Sequence, residues 1–183
     1  MRIAKKIISV SLATTLSASS AFAAWSLDHT LFQEVAQKFD LDPYLLYSVA
    51  LTESAFSTQA QVVAPHPWTL RTSKTAYYLK DEEDTIRQLK QLESDGVTSI
   101  DVGLMQVNLR WHRKRVKDSA DLVKPAKNLE VGSLILLEAL KKYPNDEYKA
   151  LGYYHSPSDA ERGLNYASRV MNTYKKVKAH AGY

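Results

Sequence analysis

The chain contains no cysteine among its 183 residues. Disulfides, thiol catalysis and cysteine metal sites are therefore excluded, and the fold must rely on its core. The five histidines (His29, His66, His112, His155 and His180) form no His-x-x-x-His pair, and no acidic cluster has calcium-loop spacing. No metal and no cofactor are expected. Glycine and proline are scarce, at six each, and there is no linker, repeat or low-complexity tract to separate domains. Beyond the first two dozen residues no apolar run is long enough to cross a bilayer.

An excess of one charge is lacking too, once the N-terminus is set aside. Arg2, Lys5 and Lys6 form a basic start, Ile7 to about Ala18 an apolar middle, and Ala21-Phe22-Ala23 a small-x-small cleavage site. This is the pattern of a secretory signal peptide over residues 1–23, with export to the periplasm and no membrane span after cleavage. Three of the 24 Lys and Arg lie in that segment and none of the 20 acids, so the net charge falls from +4 to +1. The basic pI is then no sign of nucleic-acid binding. The remaining residues, roughly 160 of them, suffice for one domain.

The most informative stretch runs from Asp42 to Phe56. Asp42 can cap a helix and Pro43 suits its first position. The residues that follow are apolar on nearly every face, as in a buried helix. Glu53 is the only ionisable carboxyl between Pro43 and Phe56, and helical spacing puts Leu46, Val49 and Ala50 on its side. Apolar surroundings favour the protonated acid, which general-acid cleavage of a glycoside requires. The helix alone leaves open a Glu53 that simply points to solvent where the helix frays.

Around this stretch the pattern predicts mostly helices. Leu27 to Phe39 reads as one, capped by Ser26 or Asp28, and a short turn joins it to the buried helix. Trp68 to Leu79 can form a small hairpin, Asp81 to Asp95 a surface helix ended by Gly96, and Val97 to Val107 a β-like segment broken at Gly103. Trp111 to Arg115 fits one helical turn, with Trp111 read as core. Helices follow over Asn128 to Lys141 and Glu147 to Tyr154. The last helix presents Leu164, Ala167, Met171 and Tyr174 inward, and Lys175, Lys176 and Lys178 to solvent.

Four segments carry more than structure: Glu53-Ser54-Ala55-Phe56, Asp101-Val102-Gly103-Leu104-Met105-Gln106-Val107-Asn108, Asn128-Leu129-Glu130-Val131-Gly132 and Ala150-Leu151-Gly152-Tyr153-Tyr154-His155. In this order they resemble the soluble lytic transglycosylase family, whose relatives include goose-type lysozymes, from about Leu31 to Val170. Glu53 and Ser54 take the positions of the catalytic acid and its serine, and Gly103 to Gln106 match unchanged. Asn128 and Gly132 fit the third motif. Tyr154 matches the tyrosine that in the family reaches toward the glutamate. The sequence departs where His155, Ser156 and Pro157 replace Asn-Ala-Gly, and in a long insert over about residues 61–100. The insert resembles the specialised enzymes of conjugation, type IV secretion or pilus systems.

The resemblance implies a mainly α, lysozyme-like single domain over residues 24–183 with a small irregular β region. It implies lytic cleavage of the peptidoglycan glycan strand between N-acetylmuramic acid and N-acetylglucosamine, with Glu53 as the single catalytic acid and base and a 1,6-anhydro end as product. Substrate contacts are then expected at Ser54, Met105, Gln106, Tyr154, Asn128, Trp68 and His155. Each has a plainer role open to it: a turn for Met105 and Gln106, core for Tyr154, a lid over the insert for Trp68, a substitute hydrogen bond for His155. Asp101 is the one rival carboxyl, with a turn or capping role as its alternative. A secretion, conjugation or pilus machine is the expected partner. The alternatives are a hydrolytic lysozyme, or a wall-binding assembly factor with a dead site.

Overall fold

The computed structural model describes residues 25–57 and 62–183. The signal-peptide expectation falls on residues 1–23, outside the described residues. Among those described are seven α-helices: α1 (Leu31–Phe39), α2 (Pro43–Ser54), α3 (Glu82–Ser94), α4 (Leu109–His112), α5 (Pro125–Lys142), α6 (Glu147–His155) and α7 (Ala160–His180). Six short strands accompany them. β1 (Ala55–Ser57) pairs antiparallel with β2 (Val63–Pro65); β3 (Thr69–Arg71), β4 (Ala76–Tyr78), β5 (Asp101–Val102) and β6 (Val107–Asn108) make a second antiparallel sheet in the order β4-β3-β5-β6. The molecule is mainly helical with small sheets, as expected.

Helix α2 is the axis of the core. Asp42 accepts a hydrogen bond from the Tyr44 N–H at 2.8 Å, and Pro43 occupies the first turn, where its missing N–H costs nothing. Tyr44, Leu45, Leu46, Val49 and Ala50 are buried on successive faces, because α1 and α7 both pack against this helix. The Tyr174 hydroxyl on α7 donates to the second Asp42 oxygen at 2.5 Å, tying the last helix to the start of α2. That contact, with burial ahead of it as a cause, pushes the Tyr174 phenol up to about 12.

Three sequence expectations need correction. Helix α1 starts at Leu31, not Leu27, and its cap is Thr30, whose hydroxyl accepts from the Gln33 N–H. Ser26 and Asp28 instead bond to each other in a local turn, and His29 adopts a left-handed φ of 59° that breaks the helical run. Trp111 is exposed rather than core. Helix α4 has only one turn; with Leu109 turned inward, Trp111 points out and is covered by the Arg110 guanidinium, 5.2 Å from the ring centroid. On α7 the buried side is Gly163, Tyr166, Ala167 and Val170, which leaves Leu164 exposed.

The α7 rotation has a packing cause. Gly163 meets Gly152 of α6 backbone to backbone: a Cβ on Gly163 would lie 2.8 Å from the Gly152 carbonyl oxygen, and one on Gly152 3.0 Å from the Gly163 carbonyl carbon. Such an approach requires glycine on both helices. It fixes which face of α7 looks inward and brings the end of α6 against Tyr166.

Candidate active site

Glu53 lies at the end of α2, where the chain leaves the helix for β1. Its side chain is 13% exposed, buried enough to be desolvated yet open to a ligand. Four groups from other elements surround it. His155, the last residue of α6, places Nδ1 3.8 Å from a Glu53 carboxylate oxygen, beyond hydrogen-bond reach but close enough for charge to be felt. The His155 ring stacks flat on Tyr166, with centroids 4.1 Å apart and planes within 1°. Tyr166 is itself buried, and its hydroxyl closes no hydrogen bond of ordinary geometry. Burial first, and the Glu53 charge second, push the Tyr166 phenol well above its usual range. Tyr154 behaves likewise, raised by burial, then by Glu53 and Asp101. Both phenols therefore remain neutral hydroxyls beside the Glu53 carboxyl.

The fourth group is Asp101 on β5. Strand register places it between Arg71 of β3 and Asn108 of β6, and the Asn108 amide donates to it at 2.7 Å. Burial raises the Asp101 carboxyl, and the like charge of Glu53 adds to that, against the lowering effect of Asn108, Arg71 and His155. Two carboxyls thus share the site, in unlike surroundings.

The turn between β5 and β6 is held from below. Asn128 on α5 is buried and fully engaged: its amide N donates to the Val102 and Leu122 carbonyls at 2.7 and 2.8 Å, and its oxygen accepts from the Met105 N–H at 2.8 Å. Ser54 holds the same turn from α2, its buried hydroxyl 2.9 Å from the Leu104 carbonyl and 3.0 Å from that of Ala50. Tyr154 closes the third side by donating to the Met105 carbonyl at 3.1 Å. The Glu53 helix, the turn and the α6 end are therefore locked together by side chains reaching to backbone.

A comparison with protein families matches the transglycosylase SLT domain over residues 30–174. The chain belongs to that family. Its members are peptidoglycan lytic transglycosylases, and the polymer they act on lies outside the cytoplasm. No curated protein and no solved structure matches the chain significantly. Among the described residues, no helix is long and apolar enough to cross a membrane.

Within this SLT domain the residues singled out from sequence have different surroundings. Glu53 and His155 line the open side. Ser54, Asn128 and Met105 are buried; they fasten the turn and present no surface to a ligand in this structure. Met105 packs on Gly132, whose missing Cβ would lie 2.5 Å from it. Tyr154 is partly buried and bonds Met105 rather than Glu53. Gln106 has a left-handed φ of 43° and donates to the Gly103 and Thr69 carbonyls at 2.9 and 3.3 Å, leaving its oxygen buried and unpaired. Trp68 is partly buried against the core with its indole N–H unpaired. The exposed rings of the insert are Tyr78 and, beside it on β1, Phe56, which cluster on His66. Sequence reasoning passed over Tyr166, although its spacing with Gly163 and Val170 marks one helical face.

The Asp101 environment predicts a pH effect on stability. A folded pKa above the unfolded value means that the folded state holds more protons in the interval between them. Stability then falls as pH rises through about 3.9, the unfolded value, and levels off above the folded pKa. Asp101→Asn removes this loss. Its stability relative to wild type should therefore rise from pH 3 to pH 6, as read from urea midpoints at the two values. A wild type that gains on the variant over that range would show the carboxylate to be well paired when folded.

Proposed function

We propose that this SLT domain cleaves the β-1,4 bond between N-acetylmuramic acid and N-acetylglucosamine, with Glu53 as both acid and base. Glu53 gives its proton to the leaving oxygen as the bond to the muramic C1 breaks. The same carboxylate then takes the proton of the muramic C6 hydroxyl, whose oxygen closes on C1 to form the 1,6-anhydro ring. No water is consumed, and Glu53 ends protonated as it began. The observation that carries this reading is a largely buried carboxyl at a helix end on the open side of the site, with two neutral phenols and His155 around it. His155 is read as the substrate-facing member of the set beside Glu53; Gln106 and Trp68 are read as bordering the substrate from partly buried positions, while Ser54, Met105, Asn128 and Tyr154 support the turn from within.

Mass analysis of soluble products released from purified sacculi tests the proposal. Anhydro-muropeptides are expected; products heavier by one water would mean hydrolysis, in which Asp101 would be the group to examine. The signal-peptide pattern supports export to the periplasm, and the insert supports a role in opening the wall for a secretion, conjugation or pilus machine.

The insert is read as a structured flap. β3 and β4 pair in register Thr69↔Tyr78, and α3 caps itself through Asp81 and buries Leu89 and Leu92. Trp68 is partly buried against the core and meets edge-on the His66 ring on which Tyr78 and Phe56 cluster, so Trp68→Ala should loosen that aromatic surface. The expected result is a KM raised roughly five- to tenfold with kcat within about twofold, the pattern of lost uniform binding. An unchanged KM would assign Trp68 to packing alone.

A further inference from the structure

A cleft of about 530 Å³ adjoins the Glu53 site, with His155 as the shared wall. Arg71 from β3 lines one side; Arg162, Asn165 and Arg169 from α7 line the other. Elsewhere among the described residues the arginines are occupied. Arg115 grips Glu138 through two nitrogens at 2.9 and 2.7 Å, Arg87 pairs with Asp84, Arg113 donates to two carbonyls, and Arg110 lies over Trp111. The guanidinium groups of Arg71, Arg162 and Arg169 close no ion pair or hydrogen bond among the described residues, and all three converge on this cleft. Arg169 is steadied from behind by the Tyr166 ring, at 5.6 Å.

Guanidinium forks recognise carboxylates and phosphates through paired hydrogen bonds. Two acids on the same rim decide between these. Asp159, which caps α7, and Glu161 also line the cleft. A polyanion would be repelled by them, whereas a short peptide bearing both carboxylates and an amino group would not. The glycan strand of peptidoglycan is built of N-acetylated sugars without charge; its ionised groups sit on the peptide attached to the muramic lactyl ether. Arg162 and Arg169 stand seven residues apart, about 10 Å along the helix, a spacing suited to two carboxylates of one short peptide. We propose that this cleft is a stem-peptide site, in which Arg71, Arg162 and Arg169 receive the peptide carboxylates while the muramic residue lies at Glu53. The proposal rests on peptidoglycan being the substrate.

Binding to a Glu53→Gln protein, which cannot turn the ligand over, tests it. The ligands are a disaccharide-tetrapeptide fragment and the same disaccharide with its lactyl carboxyl capped as a methylamide in place of the peptide. The peptide-bearing fragment should bind about tenfold tighter, and adding R162Q and R169Q should reduce that preference to about twofold or less, with capped-disaccharide affinity unchanged. Arg71→Gln, on the opposite wall, should erode the same preference and decides the matter if the α7 variant fails to fold. Equal binding of the two ligands, or a preference that survives these substitutions, overturns the proposal. The lytic reading fails separately, through absence of anhydro products from wild-type protein, and the binding comparison is independent of turnover.

Discussion

Glu53→Gln is expected to lower anhydro-muropeptide release from purified sacculi by about 10³-fold or more, since one group performs both proton transfers. The amide keeps the carboxyl's shape but can neither give nor take that proton. The fold should be unaffected. The Glu53 side chain makes no hydrogen bond of ordinary geometry to the groups around it: His155 is 3.8 Å away, and the Tyr166 hydroxyl approaches it as a weak polar contact short of that geometry. Removing the charge also relieves the like-charge pressure on Asp101. Thermal midpoints at neutral pH should therefore match or exceed wild type. Appreciable lytic activity in the folded variant would remove Glu53 from the chemistry and leave Asp101 as the carboxyl to consider.

Asn128→Ala is expected to be the most damaging single change to stability at the site, at roughly 3–5 kcal/mol. The reason lies in what the truncation leaves behind. The Met105 N–H and the Val102 and Leu122 carbonyls all lose their partner inside the protein. Asn128→Asp should be nearly as harmful, because a carboxylate would face two carbonyl oxygens where the amide offered hydrogens. Urea unfolding measures both. A loss below about 1 kcal/mol, together with a raised KM, would show Asn128 to be a ligand contact after all.

The start of α2 was readable in the chain because its signals are local: an Asp cap, a proline in the first turn and an unbroken apolar run. The β3–β4 hairpin and the break at Gly103 were readable for the same reason, as turn chemistry acts over a few residues. What escaped depended on partners far away in sequence. The face of α7 is chosen by Gly152 on another helix, so periodicity read on α7 alone placed Leu164 inward. A tryptophan in a predicted helical turn reads as core, but a one-turn helix cannot bury both Leu109 and a residue two places on. At the site the motifs located the right neighbourhood. They could not separate residues that face the opening from Ser54 and Asn128, which hold the turn beneath it. That distinction is one of side-chain direction, set by carbonyls on the β5–β6 turn.

The contact between Gly152 and Gly163 makes the spacing of two helices a property of two absent methyl groups. His155 follows Gly152 by three residues and Tyr166 follows Gly163 by three, so each ring stands about one helical turn from the contact. Any widening there separates the helices that carry the two rings, so the stack and the position of His155 relative to Glu53 change together. An alanine at either glycine should consequently loosen the His155–Tyr166 stack and impair turnover at once. Alanines at both should cost less than the sum of the two, since the first has already forced the helices apart. Site geometry and helix spacing are thus one unit: the reach of His155 depends on two glycines buried between helices.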